Sequence, residues 1–199
     1  MWKHYFGPQA RIYGVDVNPR CREFEDAQTE ILIGDQEDRA FLKRLKRTIP
    51  RLDIVIDDGG HTMKQQIVTF EELFPHVSDR GLYLCEDTST SYWRYFGGGY
   101  KRKGTFVEFS KDLVDSINAW FSKDDARLAV NSYTEWIQSL HFYAGILVVE
   151  KQATERPVEV ETGSIRLPVH EYINPLHGTL PFSVRSVWRK LKDRFQSCS

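Results

Sequence analysis

The sequence predicts an α/β protein whose sheet is mostly parallel and closes with an antiparallel hairpin. Short β-rich apolar runs alternate with segments whose apolar residues recur at helical spacing. Acids stand just after several of those runs. The last two runs are separated by little more than Tyr143-Ala144, too short a link for a parallel crossover.

Taken in order, residues 10–17 (ARIYGVDV) read as a strand, and the residues before them as the tail of a helix. Asn18-Pro19 stops that strand, and Pro19 suits the first turn of a helical segment reaching Ala27. Residues 29–34 form the next strand. Asp35 then precedes Glu37, Asp38 and a helix with Phe41, Leu42 and Leu45 on one face, closing near Pro50. Residues 52–56 (LDIVI) suit a central strand and run into Asp57-Asp58-Gly59-Gly60-His61. Met63, Ile67, Phe70, Leu73 and Phe74 make one face of a packing helix over 62–74. Residues 81–85 (GLYLC) form a strand ending in Glu86-Asp87, followed by an aromatic, glycine-rich stretch over 92–104 that reads as a mobile substrate lid. A helix over 106–121 carries Leu113, Val114, Ile117 and Trp120, and strands over 135–142 and 145–151 make the hairpin. Beyond lies a polar, proline-containing stretch, then a helix over 183–195 with a basic face, expected to pack on its own domain or a second subunit. The boundary is expected near 152, with 153–199 as a C-terminal extension.

At 199 residues and 41% hydrophobic, the chain can bury one sizeable core. Its 27 basic and 28 acidic side chains give a net charge of -1, which excludes a cationic coat for nucleic acid or membrane. Cys21, Cys85 and Cys198 form no CxxC pair, arguing against a disulfide framework or cysteine zinc site and for a reducing cytoplasm. No apolar run approaches the roughly 20 residues of a membrane span, and the N-terminus lacks a signal-peptide core.

Ligands of a parallel sheet bind beyond the carboxyl ends of its strands, where Asp16, Asp35, Asp57-Asp58 and Glu86-Asp87 stand. Neighbouring strands lie about 4.8 Å apart. If the strands ending at Asp57 and Cys85 are neighbours, Asp58, Glu86 and Asp87 approach one point. Their mutual repulsion is relieved by a hard divalent cation, Mg²⁺ or Mn²⁺. His61, three residues after Asp58 and past two glycines, can face the same pocket as a general base. The competing structural reading makes Asp57 and Asp58 helix caps and His61 a first-turn residue. His76, His141, His170 and His177 have no ligand-like spacing.

The stretch IDDGGHTMKQQIVTFEELFPHVSDRGLYLCEDTSTSYW, with GVDVNP and IGDQED before it, resembles the Mg²⁺-dependent sugar O-methyltransferases of macrolide biosynthesis, the macrocin and mycinamicin enzymes. These are class I S-adenosylmethionine (SAM) methyltransferases with a Rossmann-like sheet, and the similarity covers roughly residues 1–151. The resemblance implies Asp58, Glu86 and Asp87 as metal ligands and His61 as catalytic base. It also implies Asp16 on the SAM ribose, with Asp35 and Gln36 beside the adenine; Asp57 is assigned to the cofactor side with them. The expected activity is methyl transfer from SAM to a hydroxyl of a sugar or glycosylated natural product. In one respect the sequence departs from that pattern, because the first strand and Gly-rich turn that cradle the methionine end of SAM are not found before Asp16. The expected consequences are weak SAM binding and a sheet with an exposed edge or gap that favours association between copies. Two other readings stand beside this one: a non-catalytic binding module, and a metal-dependent hydrolase using the same acids.

Overall fold

The computed structural model describes residues 1–160 and 162–164. The helix expected over 183–195, Cys198, His170 and His177 lie outside the described residues. A compact unit runs from Met1 to Pro157.

Within it, α1 (Trp2–Phe6) leads into β1 (Ile12–Asp16), a 3-10 segment (Pro19–Phe24) and β2 (Thr29–Ile33). Next come α2 (Arg39–Thr48), β3 (Leu52–Asp57), α3 (Met63–Leu73), β4 (Val77–Cys85) and α4 (Phe106–Ile117). A short helix α5 (Ser132–Trp136) precedes β5 (Ile137–Tyr143) and β6 (Ile146–Lys151). Local chemistry explains the main boundaries. Asp38 caps α2 by accepting from the Ala40 amide, and Thr62 with Gln65 closes a reciprocal capping box on α3.

The expected mixed sheet is present, in two pieces. β1 and β2 pair in parallel, with Gly14 opposite Ile31. The other four strands run in the order β3-β4-β6-β5, with β3·β4 parallel and the other two pairs antiparallel. No ladder joins β1 to β3, so each keeps an edge without a strand partner among the described residues, as the expected gap requires.

The core lies under the four-stranded piece. Phe70 stacks on Phe74 at 5.0 Å and meets the Tyr83 ring edge-on at 5.0 Å. Leu113, Leu147 and Val149 are buried around them. Lys151, only 4% exposed, donates from Nζ to the carbonyls of Phe74, Pro75 and Val77, at 3.3, 2.9 and 2.7 Å. One ammonium thereby ties the end of β6 to the turn that feeds β4.

Four elements differ from the sequence expectation. α4 stops at Ile117, with Trp120 in a separate 3-10 turn (Ala119–Phe121). β4 begins at Val77 rather than Gly81, because Arg80 takes a left-handed φ of 64° and the register with β3 shifts there instead of ending. Gly81 is needed at that irregularity, since a Cβ would come 2.6 Å from the Asp53 carbonyl. Residues 132–136 are helical where a strand was expected from 135, because Asn131 accepts from the amides of Tyr133 and Thr134 and Thr134 returns a bond to Asn131. The segment after Pro19 is 3-10 and ends at Phe24.

Candidate metal and catalytic site

The register of β3 on β4 builds the site. Asp57 lies opposite Cys85, and the Glu86 amide donates to the Asp57 carbonyl at 2.9 Å. Two neighbouring strands therefore release their acids at the same level. Asp58, His61 and Asp87 each offer one donor atom within 4.8 Å of the others. His61 Nε2 stands 3.6 Å from Asp87 Oδ2 and 4.0 Å from Asp58 Oδ1. The two carboxylates are open to solvent, whereas the imidazole is 20% exposed.

Backbone strain fixes two of these groups. His61 has φ 58° and Asp87 φ 51°, a region that side chains other than glycine rarely enter, at a cost of roughly 1–3 kcal/mol each. Thr90 offsets it: its Oγ1 lies 3.0 Å from the His61 carbonyl and 2.8 Å from the Asp87 carbonyl, and its amide donates to Asp87 at 3.0 Å. The His61 Nδ1 atom is buried with no hydrogen-bond partner among the described residues, and Nε2 is the ring nitrogen turned to the acids.

Asp57 does not fit the cofactor-side role expected from the sequence. It is 6% exposed, and its oxygens are occupied by the Tyr83 hydroxyl at 2.8 Å and Gln36 Nε2 at 2.9 Å. Burial raises its pKa, and the bonds from Tyr83 and Gln36 only partly counter that. Gln36 also accepts from the Gly60 amide at 2.8 Å, and the approach leaves no room for a Cβ on Gly59. These two residues form a clasp between the loops after β2 and β3.

The remaining candidates are placed as follows. Asp16 and Asp35 are exposed at the carboxyl ends of β1 and β2, outside the Asp58–His61–Asp87 group. Asp16 accepts from the Asn18 amide and Asp35 from the Glu37 amide. Asp35 borders an open cleft of about 430 Å³ lined also by Glu37, Lys64 and Val68. Glu86 is half-buried, and its carboxylate is not among the converging donors.

Three supporting residues escaped the sequence reading. Tyr83 holds Asp57, Thr90 holds His61 and Asp87, and the buried Gln66 donates to the Glu86 carbonyl at 3.1 Å. A signal for Gln66 existed, since it shares the helix face of Met63, Phe70 and Leu73 and is polar there. The stretch expected to be a mobile lid is hydrogen-bonded at its base. Gly98 donates to the Trp93 carbonyl at 2.9 Å, Gly99 to the Ser91 carbonyl at 2.8 Å, and Val107 to Ser91 Oγ at 3.1 Å.

The sequence of the chain matches curated enzymes. It is 38% identical over 154 residues to the 8-demethyl-8-alpha-L-rhamnosyl tetracenomycin-C 2'-O-methyltransferase of Streptomyces olivaceus, covering 77% of this chain and 40% of the relative. The chain is a homologue of sugar O-methyltransferases. A second homologue, the demethylmacrocin O-methyltransferase of Streptomyces fradiae, is 36% identical over 76% of this chain and 38% of its own length. The crystal structure of the MycE methyltransferase of the mycinamycin pathway, in complex with Mg and SAH, matches with a TM-score of 0.71 and 35% identity. That match covers 76% of this chain and 40% of the MycE chain. The α/β fold is thus that of its methyltransferase homologues, and the chain spans about 40% of the length of the curated relatives it matches. No protein-family model matches it. Among the described residues no helix is long and apolar enough to cross a membrane.

Proposed function

We propose that this chain carries the metal-binding and proton-accepting part of a SAM-dependent O-methyltransferase acting on a hydroxyl of a sugar or glycosylated natural product. The observation that supports it most is the convergence of Asp58, His61 and Asp87 at two adjacent strand ends. The two exposed carboxylates suit Mg²⁺ or Mn²⁺, with the imidazole beside them free to act as base. Glu86, next to Asp87, is the further carboxylate ligand that the resemblance assigns. A divalent cation held there would lower the pKa of the acceptor hydroxyl, and SAM would supply the methyl group.

The chain's own residues do the rest. His61 Nε2 would take the proton of the acceptor hydroxyl. Asp87, 3.6 Å away, stabilises the imidazolium that results. Thr90 and the Gln36–Asp57 clasp hold the two loops in place. Asp16 is assigned to the SAM ribose, and Asp35 and Gln36 to the adenine side, with Gln36 acting through its fixed loop.

Residues 1–152 form the catalytic part of this reading and 153–199 an extension to it. The free thiols of Cys21 and Cys85 support a reducing, cytoplasmic setting. The test is transfer of labelled methyl from millimolar SAM to a mixture of glycosides. Mg²⁺-dependent label with the wild type, reduced roughly 10²- to 10⁴-fold in His61→Ala, is expected. No label above background with Mg²⁺ present overturns the reading.

A further inference from the structure

Between Asp87 and Glu108 the chain carries four basic side chains, Arg94, Lys101, Arg102 and Lys103, and no acid. None of the four enters an ion pair among the described residues. Arg102 reaches only the Gly98 carbonyl, at 3.4 Å, and Lys101 Nζ lies 5.5 Å above the Tyr100 ring. In a protein with net charge -1, this is a local concentration of cations without an ion-pair partner among the described residues.

The same segment leaves aromatic surface in solvent. Trp93 is 55% exposed, Tyr100 79% and Tyr95 92%. These rings are not on a loose loop, since the hydrogen bonds of Gly98, Gly99 and Val107 hold its base. An exposed aromatic surface on a fixed backbone is the usual mark of a binding face. The face adjoins the acid cluster: the Phe96 ring stands edge-on to His61 at 6.4 Å and packs against Trp93 at 6.0 Å and Tyr95 at 5.1 Å.

We propose that this segment selects the acceptor, and that the acceptor is a glycoside bearing a negative charge, a carboxylate or a phosphate, away from the reacting hydroxyl. The inference rests on the methyltransferase reading above and deepens it. Aromatic faces pack against the apolar face of a sugar ring, and unpaired Lys and Arg side chains attract an anion. Asp58 and Asp87 repel an anion placed at the cluster itself. The charged group is therefore met by the basic side chains of the segment while an uncharged hydroxyl faces His61. A neutral glycoside gains nothing from these cations, and a cationic one is repelled by them.

The test is equilibrium binding of phenyl β-D-glucuronide and phenyl β-D-glucoside to the full chain, read by tryptophan fluorescence, with Mn²⁺ binding measured in the same samples. The glucuronide is expected to bind about ten-fold more tightly at low salt, an advantage that shrinks in high salt. The triple variant Arg94→Gln, Lys101→Gln, Lys103→Gln is expected to bind the two alike while still binding Mn²⁺. Equal affinities in the wild type, a preference that survives in the triple variant, or no saturable glucuronide binding in the millimolar range overturns the proposal. Mn²⁺ binding without charge preference overturns this inference alone. A charge preference in a chain that binds no Mn²⁺ overturns the methyltransferase reading and leaves the anion-selective face standing.

Discussion

Gln36 and Asp57 are joined by a hydrogen bond of 2.9 Å, the side chain of one loop closing on the buried carboxylate of the next. The same glutamine accepts from the Gly60 amide at 2.8 Å, so the turn that leads to His61 is tied to the loop that follows β2. No strand ladder joins β1 to β3 among the described residues, and this clasp ties the loop after β2 to the end of β3.

Gln36→Ala is expected to destabilise the protein by roughly 1–3 kcal/mol, because it leaves a buried carboxylate and an amide short of partners. Gln36→Glu is expected to be worse, since it sets a second acid against Asp57. Urea unfolding of the three proteins checks the order. A Gln36→Glu protein as stable as the wild type would show that the clasp carries no load.

Glu72 governs a pH dependence. Burial opposes its ionisation, but Lys46 at 2.8 Å and Arg39 at 3.0 Å outweigh that and hold its carboxyl below the ordinary range. A folded-state pKa below the unfolded one gives stability that is present above the unfolded value, about 4.3, and is lost as pH falls through the folded value. Glu72→Gln is therefore expected to lower stability at pH 7 by about 2 kcal/mol, and by less in acid. Denaturation midpoints measured across the acid limb check it, with a constant difference at all pH values as the contrary result.

Gly98→Ala probes the aromatic segment. A Cβ there would meet the Thr90 carbonyl oxygen at 2.4 Å and that of Ser91 at 2.5 Å, both backbone atoms that cannot turn aside. The substitution is expected to cost roughly 1–3 kcal/mol and to shift the emission of Trp93, which sits at the base of the segment. Unchanged stability and fluorescence would mean that the segment yields easily.

How much of this was legible in the sequence depends on the range of the interaction. The strand ends and their acids were readable, because β-rich runs stop at Asp16, Ile33, Asp57 and Cys85 within a residue or two of where the pattern changes. The meeting of Asp58 with Asp87 was readable only on the condition that β3 and β4 pair, which is a matter of topology. The clasp was not readable: nothing local marks Gln36 as the partner of a residue 21 positions away, and Asp57 looked as available as Asp58 until its burial was known. The early start of β4 was hidden because Ser78-Asp79-Arg80-Gly81 reads as a turn, and only pairing with β3 carries the strand through it. The three glycines at 97–99 suggested freedom, whereas Gly98 is there for close approach to Thr90 and Ser91.

The central claim is that β3 and β4 deliver Asp58 and Asp87 to one cation, with His61 standing beside it as base. Titration of Mn²⁺ into the full chain, followed by electron paramagnetic resonance of the free ion, measures this directly. A single site in the wild type that disappears in the double variant Asp58→Asn, Asp87→Asn, with Mg²⁺ competing in the wild type, is the expected result. Equal Mn²⁺ binding by the wild type and the double variant, or none by either, would contradict it.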